Sequence, residues 1–177
     1  MSTRNLLPRR ATTAIEAALA DTRVVLVNGA RQAGKSTLVR QIAGQCTAEW
    51  RDLDRPRDRE AALADPEGFV DSEAPLIIDE IQRAPELLLS IKVAVDSDPR
   101  PGRFLLTGSS RLLGLRELPD TLPGRMETIE LWPFSQGEID GTADGFVDAV
   151  FRDGAALRHT SQILRTEYAE RDCPWFG

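Results

Sequence analysis

Two rhythms of apolar residues alternate along this chain. Short runs are apolar at nearly every position, and longer stretches carry apolar residues every three or four. The first rhythm marks strands buried on both faces, the second helices with one buried face. Residues 9–20 read as a helix, with Ala14, Ile15, Ala18 and Leu19 on one side and Thr12 and Glu16 facing water. "RVVLVN" (23–28) reads as a buried strand, and "STLVRQIAG" (36–44) as a helix packed through Leu38, Val39 and Ile42 and closed by Gly44. "EWRDLD" (49–54) is a weaker strand, and "RDREAALAD" (57–65) a helix stopped by Pro66. "APLIIDEIQ" (74–82) holds a third strand ending in acids, and "PELLLSIKVAVDS" (85–97) is an apolar helix with Pro in its first turn. "GRFLLTGSS" (102–110) gives a fourth strand, "RLLGLRELP" (111–119) a short helix and "RMETIELWP" (125–133) a fifth strand.

Strand and helix alternate throughout, which predicts an α/β fold with a parallel sheet covered by helices on both faces. After residue 134 the character changes to helix alone. Phe146, Val147, Val150 and Phe151 form one apolar stripe, and Leu157, Ile163, Leu164 and Tyr168 another. The expected organisation is a core over 1–141 and a helical C-terminal segment over 142–177.

Composition narrows the partners. The 177 residues are 41% hydrophobic and 28% charged, enough for one domain with a real core, with or without a small appendage. The net charge is −6 and the pI about 4.9, which argues against broad, sequence-independent nucleic-acid binding. Trp50, Trp132 and Trp175 are too scattered for a base-stacking platform and read as packing residues. Cys46 and Cys173 lack metal-ligand spacing and read as reduced thiols. His159 stands alone, so no histidine triad or histidine metal centre is expected. The N-terminal stretch is broken by Pro8, Arg9 and Arg10, so it is not a secretory signal, and no run reaches the length of a membrane span. The expected location is the cytoplasm.

The chain uses 20 arginines and two lysines, and one lysine sits in "NGARQAGKST". Gly29, Ala30, Arg31, Gln32, Ala33, Gly34, Lys35 and Ser36 fit the Walker A pattern G-x-x-x-x-G-K-[ST], with Thr37 following. A buried strand precedes it and a helix follows. Glycines let the backbone wrap closely around phosphates, and the helix N-terminus adds partial positive charge. Lys35 is a compact charge on a long stem, able to reach β- and γ-phosphates where the wide fork of Arg fits less well. Ser36 offers a hydroxyl to Mg²⁺. The plainer alternative is a glycine turn before a helix, which leaves the Lys unexplained.

Three further stretches bear on the same chemistry. Asp79 and Glu80 close a buried strand, where charge is costly without a partner. Asp79 would hold Mg²⁺ through water and Glu80 would orient or activate an attacking water, as in a Walker B motif. The alternative is a cap for the helix near Pro85. "LLTGSS" ends strand four, where Ser109 first and Thr107 second would sense the γ-phosphate or position water, unless the serines simply cap the next helix. Arg125 precedes strand five. It is either a surface residue after a Pro-Gly turn or an arginine finger on a neighbouring subunit's nucleotide, which would make the chain a homo-oligomer.

With these residues in place the chain resembles prokaryotic AAA+-type P-loop ATPases. More closely, it resembles the "ATP-binding proteins" with an N-terminal AAA domain and a C-terminal domain of unknown function. "RVVLVNGARQAGKSTL", "LDRPRDREAALADPEGF", "LIIDEIQRAPELLLSIK", "RFLLTGSSRLL" and "LPGRMETIELWPFSQGE" carry the resemblance over roughly residues 5–140. It implies a five-stranded parallel sheet of order 5-1-4-3-2 and binding of ATP or ADP with Mg²⁺. It puts the phosphate loop on Gly29 to Thr37, the metal acid on Asp79, the catalytic glutamate on Glu80 and the polar sensor near Thr107 to Ser109. Members of that family continue well past the point where this chain ends, so the ending "AERDCPWFG" reads as a truncation before a second domain.

The leading expectation is therefore Mg-dependent ATP binding and hydrolysis. A second is an ATP-binding switch or scaffold with little turnover. A third, a P-loop small-molecule kinase, lacks an arginine-bearing lid in the sequence. A GTPase is disfavoured because "DPEG" (65–68) follows a helix pattern and no N-K-x-D guanine reader exists. The protein partner is not specified.

Overall fold

A computed structural model describes residues 6–44, 47–109, 122–142 and 151. All five expected strands form. Helix α1 (Ala11–Asp21) leads into β1 (Val24–Gly29), followed by α2 (Lys35–Ala43), β2 (Glu49–Asp52), α3 (Pro56–Ala64) and α4 (Pro66–Val70). Then come β3 (Leu76–Asp79), a 3₁₀ turn (Ile81–Arg83), α5 (Leu87–Ser97), β4 (Phe104–Ser109), β5 (Met126–Leu131) and α6 (Gln136–Asp140). The strands lie side by side in the order β2-β3-β4-β1-β5. Every pairing is parallel, as the expected order 5-1-4-3-2 requires.

The all-apolar runs explain the two layers. Strand residues alternate between faces, so Val24 and Leu26 of β1, Leu76 and Ile78 of β3, and Phe104 and Leu106 of β4 turn one way. They meet Ala62 of α3, Phe69 and Val70 of α4, and Leu87, Leu88, Ile91 and Val95 of α5. Val25, Val27, Ile77 and Leu105 turn the other way, onto Ile15 and Ala18 of α1 and Leu38, Val39 and Ile42 of α2. Strand β5 is an edge strand and reads differently. Glu127, Thr128 and Glu130 are exposed, and charge of this kind disfavours edge-to-edge pairing.

One expected boundary is corrected. Pro66 was expected to stop the helix over 57–65, and it does, but it also opens α4. Asp65 caps the new helix by accepting a hydrogen bond from the Gly68 amide at 2.9 Å. Proline suits the first turn of a helix because its missing N–H would have no partner there. The "DPEG" stretch is thus a helix cap.

The chain divides into two compact units, Met1–Phe134 and Ser135–Gly177, whereas the expected division fell after residue 141. In the second unit, Ser135 and Glu138 form a reciprocal capping box that starts α6. Phe151, from one expected apolar stripe, is helical and exposed. The helix expected over 111–119, the remaining residues of both stripes, Cys46, Cys173, His159 and Trp175 lie outside the described residues. Among the described residues no helix is long and apolar enough to cross a membrane.

At the N-terminal ends of the strands, Arg125 donates to both oxygens of Asp96 on α5, at 2.5 and 3.1 Å. That hydrogen bond holds the Asp96 carboxyl below the usual carboxylate range. A lowered carboxyl pKa adds stability above the unfolded value and loses it as pH falls. Asp96→Asn should therefore lower the melting temperature slightly near neutral pH, and the gap should close as pH drops through the carboxylate range. Leu106→Ala, at a fully buried position of the central strand, should cost about 2–5 kcal/mol in urea unfolding.

Candidate functional site

Parallel strands bring their C-terminal ends to one edge of the sheet, and loops there have room to bind a ligand. Gly29, Asp79 and Ser109 are the last residues of β1, β3 and β4, so all three chemical segments meet at that edge. Together they border a cavity of about 820 Å³ lined by Arg31, Gln32, Gly34, Lys35, Ser36, Thr37, Asp54, Glu80, Gln82, Arg83 and Ser109.

The phosphate loop is shaped by its glycines. A side chain on Gly29 would put its Cβ 2.3 Å from the Leu131 carbonyl oxygen of neighbouring β5, so only glycine lets the loop leave the sheet there. Gly34 takes a left-handed φ of 89°, a conformation that costs a side-chain-bearing residue energy. Gln32 also has a positive φ, 66°. Such backbone outliers persist where the surroundings hold them, and they concentrate at functional sites. Helix α2 starts at Lys35, so its N-terminal dipole end opens onto the loop.

Lys35 is 5% exposed although it carries a charge. Its ammonium donates to the carbonyls of Gly29 at 3.1 Å and Ala30 at 2.9 Å. An ammonium has three donors, and the cavity it borders gives the third a place to meet an anion. Ser36 Oγ donates to Asp79 Oδ1 at 2.9 Å. The same carboxylate oxygen accepts from the Thr107 hydroxyl, which in turn accepts from the Glu80 amide at 3.0 Å. Asp79, 4% exposed, is thus a buried acid satisfied by two hydroxyls.

Glu80 sits just past the strand in a left-handed conformation, φ 61°, which turns the chain sharply into the 3₁₀ turn. Its carboxylate accepts from the Gln82 side-chain amide. The other end of Gln82, Oε1, accepts from the Ser109 backbone N–H at 3.2 Å. Gln82 therefore bridges the acid after β3 to the end of β4. The amide supplies both the donor and the acceptor this bridge needs. At the far rim, Arg83 Nε donates to Asp54 at 3.0 Å.

Most expected site residues come together. Gly29 to Thr37, Asp79, Glu80, Thr107 and Ser109 form one cluster, with Ser109 on the cavity wall and Thr107 behind it on Asp79. Arg125 does not join them. It precedes β5 at the opposite end of the sheet, about 20 Å away along a six-residue strand. Gln82 was missed by reading the sequence for acids and hydroxyls, although it stands two residues after Glu80. Arg9 was missed as well. It is buried beneath the loop and donates to the Ala33 carbonyl at 2.9 Å.

Ser36 Oγ and Asp79 Oδ1 are hard oxygen donors at one spot, the ligand type that Mg²⁺ takes. Among the described residues no group of three or more His, Cys, Asp or Glu gathers into a metal centre. That donor set suits a cation that keeps most of its waters and shares phosphate oxygens.

Comparison with known proteins agrees with this geometry. Residues 21–140 match the AAA domain family. An uncharacterised protein of Mycobacterium bovis is 40% identical over 126 residues, covering 68% of this chain and 27% of its own length. One from Mycobacterium tuberculosis matches with the same identity and coverage. The chain thus aligns with little more than a quarter of these curated relatives. Among solved structures, a Walker-type ATPase of Pyrococcus abyssi superposes with a TM-score of 0.56 at 18% identity, covering 86% of this chain and 60% of that one. That likeness is one of fold. With the glycine loop, the acid-ended strand and the matched residues all in place, the chain belongs to the AAA domain family and has the fold of a P-loop ATPase.

Proposed function

We propose that the chain binds ATP with Mg²⁺ and hydrolyses it. The observation that carries this reading is the convergence of buried Lys35 with the Ser36–Asp79 hydroxyl–carboxylate pair at 2.9 Å. Lys35 and backbone amides of the loop bind the β- and γ-phosphates. Ser36 and Asp79 hold the cation. A Mg²⁺ held there would supply positive charge against the phosphates. Thr107 fixes Asp79 and the Glu80 amide, so the two acids keep their relative places. Glu80 accepts a proton from the attacking water, and Ser109 on the cavity wall senses the terminal phosphate.

One observation favours a second reading, an ATP-binding switch with slow turnover. The Glu80 carboxylate is occupied by Gln82, which is itself anchored on Ser109. Gln82 competes with an attacking water for that carboxylate oxygen, so the Gln82 amide bears on how readily binding leads to hydrolysis.

ATP binding and phosphate release separate these readings. Lys35→Ala should weaken ATP binding at least about tenfold by titration of a fluorescent ATP analogue, because it removes a charge-assisted contact. Glu80→Gln should bind ATP normally while phosphate release falls about a hundredfold or more. Unchanged release would remove Glu80 from its role. If the wild-type chain binds ATP and releases no phosphate, the switch reading stands instead.

Gln82→Glu replaces the amide by a carboxylate facing Glu80. Two facing carboxylates share a proton, and one of them titrates higher. The acidic limb of the rate–pH profile should therefore move to higher pH, with an unchanged profile counting against the bridge.

An arginine-finger role for Arg125 requires a neighbouring subunit and release of Asp96. Specific activity should then rise with protein concentration and the rise should vanish in Arg125→Ala. Constant specific activity would leave Arg125 a structural partner of Asp96 alone.

A further inference from the structure

Arg9 stands 20 residues before the phosphate loop, in a stretch that carries none of the loop's motif. It is 7% exposed, one of the most buried charged side chains described. Its guanidinium reaches two backbone carbonyls that are far apart in sequence. Nη1 donates to Ala33 at 2.9 Å and Nη2 to Trp132 at 2.5 Å. Its carbon lies 4.1 Å from the centre of the Phe134 ring, a stacking distance for a planar cation on an aromatic face.

Ala33 is flanked by the two left-handed residues of the loop, Gln32 and Gly34. The peptide joining Ala33 to Gly34 is planar, with its C=O and N–H pointing in opposite directions. A donor that holds the carbonyl on one side therefore aims the Gly34 N–H to the other. Gly34 borders the cavity. A cationic donor on the carbonyl also polarises the peptide and strengthens its N–H as a partner for an anion.

We propose that Arg9 is a positioning residue of the phosphate site: it grips the Ala33 carbonyl from behind, locks the Ala33–Gly34 peptide with its N–H toward the phosphates, and ties that peptide to the exit of β5. The ligand it serves is the polyphosphate of a nucleotide, which Arg9 itself does not touch. The inference rests on the reading of Gly29 to Thr37 as a phosphate loop. The role needs the planar fork of arginine. A lysine keeps the charge but lacks the rigid pair of donors that spans two carbonyls while stacking on a ring.

Calorimetric titration with ATP, and with tripolyphosphate as a base-free probe, tests this at a temperature where circular dichroism shows each variant folded. Arg9→Lys and Arg9→Gln should each weaken both probes about tenfold and by the same factor. Phe134→Leu, which keeps Arg9 but removes the ring beneath it, should weaken both about threefold. Wild-type affinity in Arg9→Lys would overturn the proposal, since charge alone would then suffice. A loss for ATP with none for tripolyphosphate would overturn it too, placing the effect on the base. If neither Arg9 variant folds, Phe134→Leu decides, and unchanged affinity there counts against the proposal. A wild-type chain that binds neither probe overturns the phosphate-loop reading and this inference with it.

Discussion

The Asp79 carboxylate is the point on which the site depends. A buried acid is costly unless its oxygens are satisfied, and here one oxygen collects hydroxyls from the start of α2 and from β4. These two contacts tie the phosphate loop to a strand that is not its neighbour, because β4 lies between β1 and β3. Parallel alignment makes this possible by ending all three strands at one edge. Through Thr107 the same carboxylate also places the Glu80 amide, so the two acids share one support.

The strands, the loop and the acids were legible in the sequence because each follows a local rule. A run such as "VVLV" must be buried on both faces, and glycine, lysine and serine at fixed spacing are what close wrapping of phosphate requires. Strand order was not legible from pattern. No periodicity says that β4 inserts between β1 and β3, and the order came from resemblance alone. Pro66 was read as a stop because proline ends helices, but the same missing N–H lets it begin one. Thr107 and Ser109 both offered a hydroxyl at the end of strand four, with Ser109 ranked first. As residues two apart they share a face of β4, and position along the strand separates them: Thr107 is buried on Asp79, while Ser109, at the strand's end, reaches the cavity. Arg9 and Gln82 were invisible for a different reason. Their partners lie 24 and 123 residues away for Arg9, and 27 away at Ser109 for Gln82, and only the folded sheet brings them near.

Charge is distributed against the average. The chain is acidic overall, yet its cavity carries Arg31, Lys35 and Arg83 beside Asp54 and Glu80. The cavity is thus mildly basic on an acidic body, with Asp54 paired to Arg83 and Glu80 to Gln82.

The seating of the loop against β5 also has a consequence in time. Gly29 lies against the Leu131 carbonyl and Ala33 is joined through Arg9 to Trp132, while the strand that supplies this floor pairs with β1 across about a hundred residues, Val24 with Met126. Contacts so distant in sequence form late, because a long stretch must first be closed. A nascent chain that has emerged as far as β4 already holds every residue of the phosphate motif and both acids, yet it lacks the strand on which the motif rests.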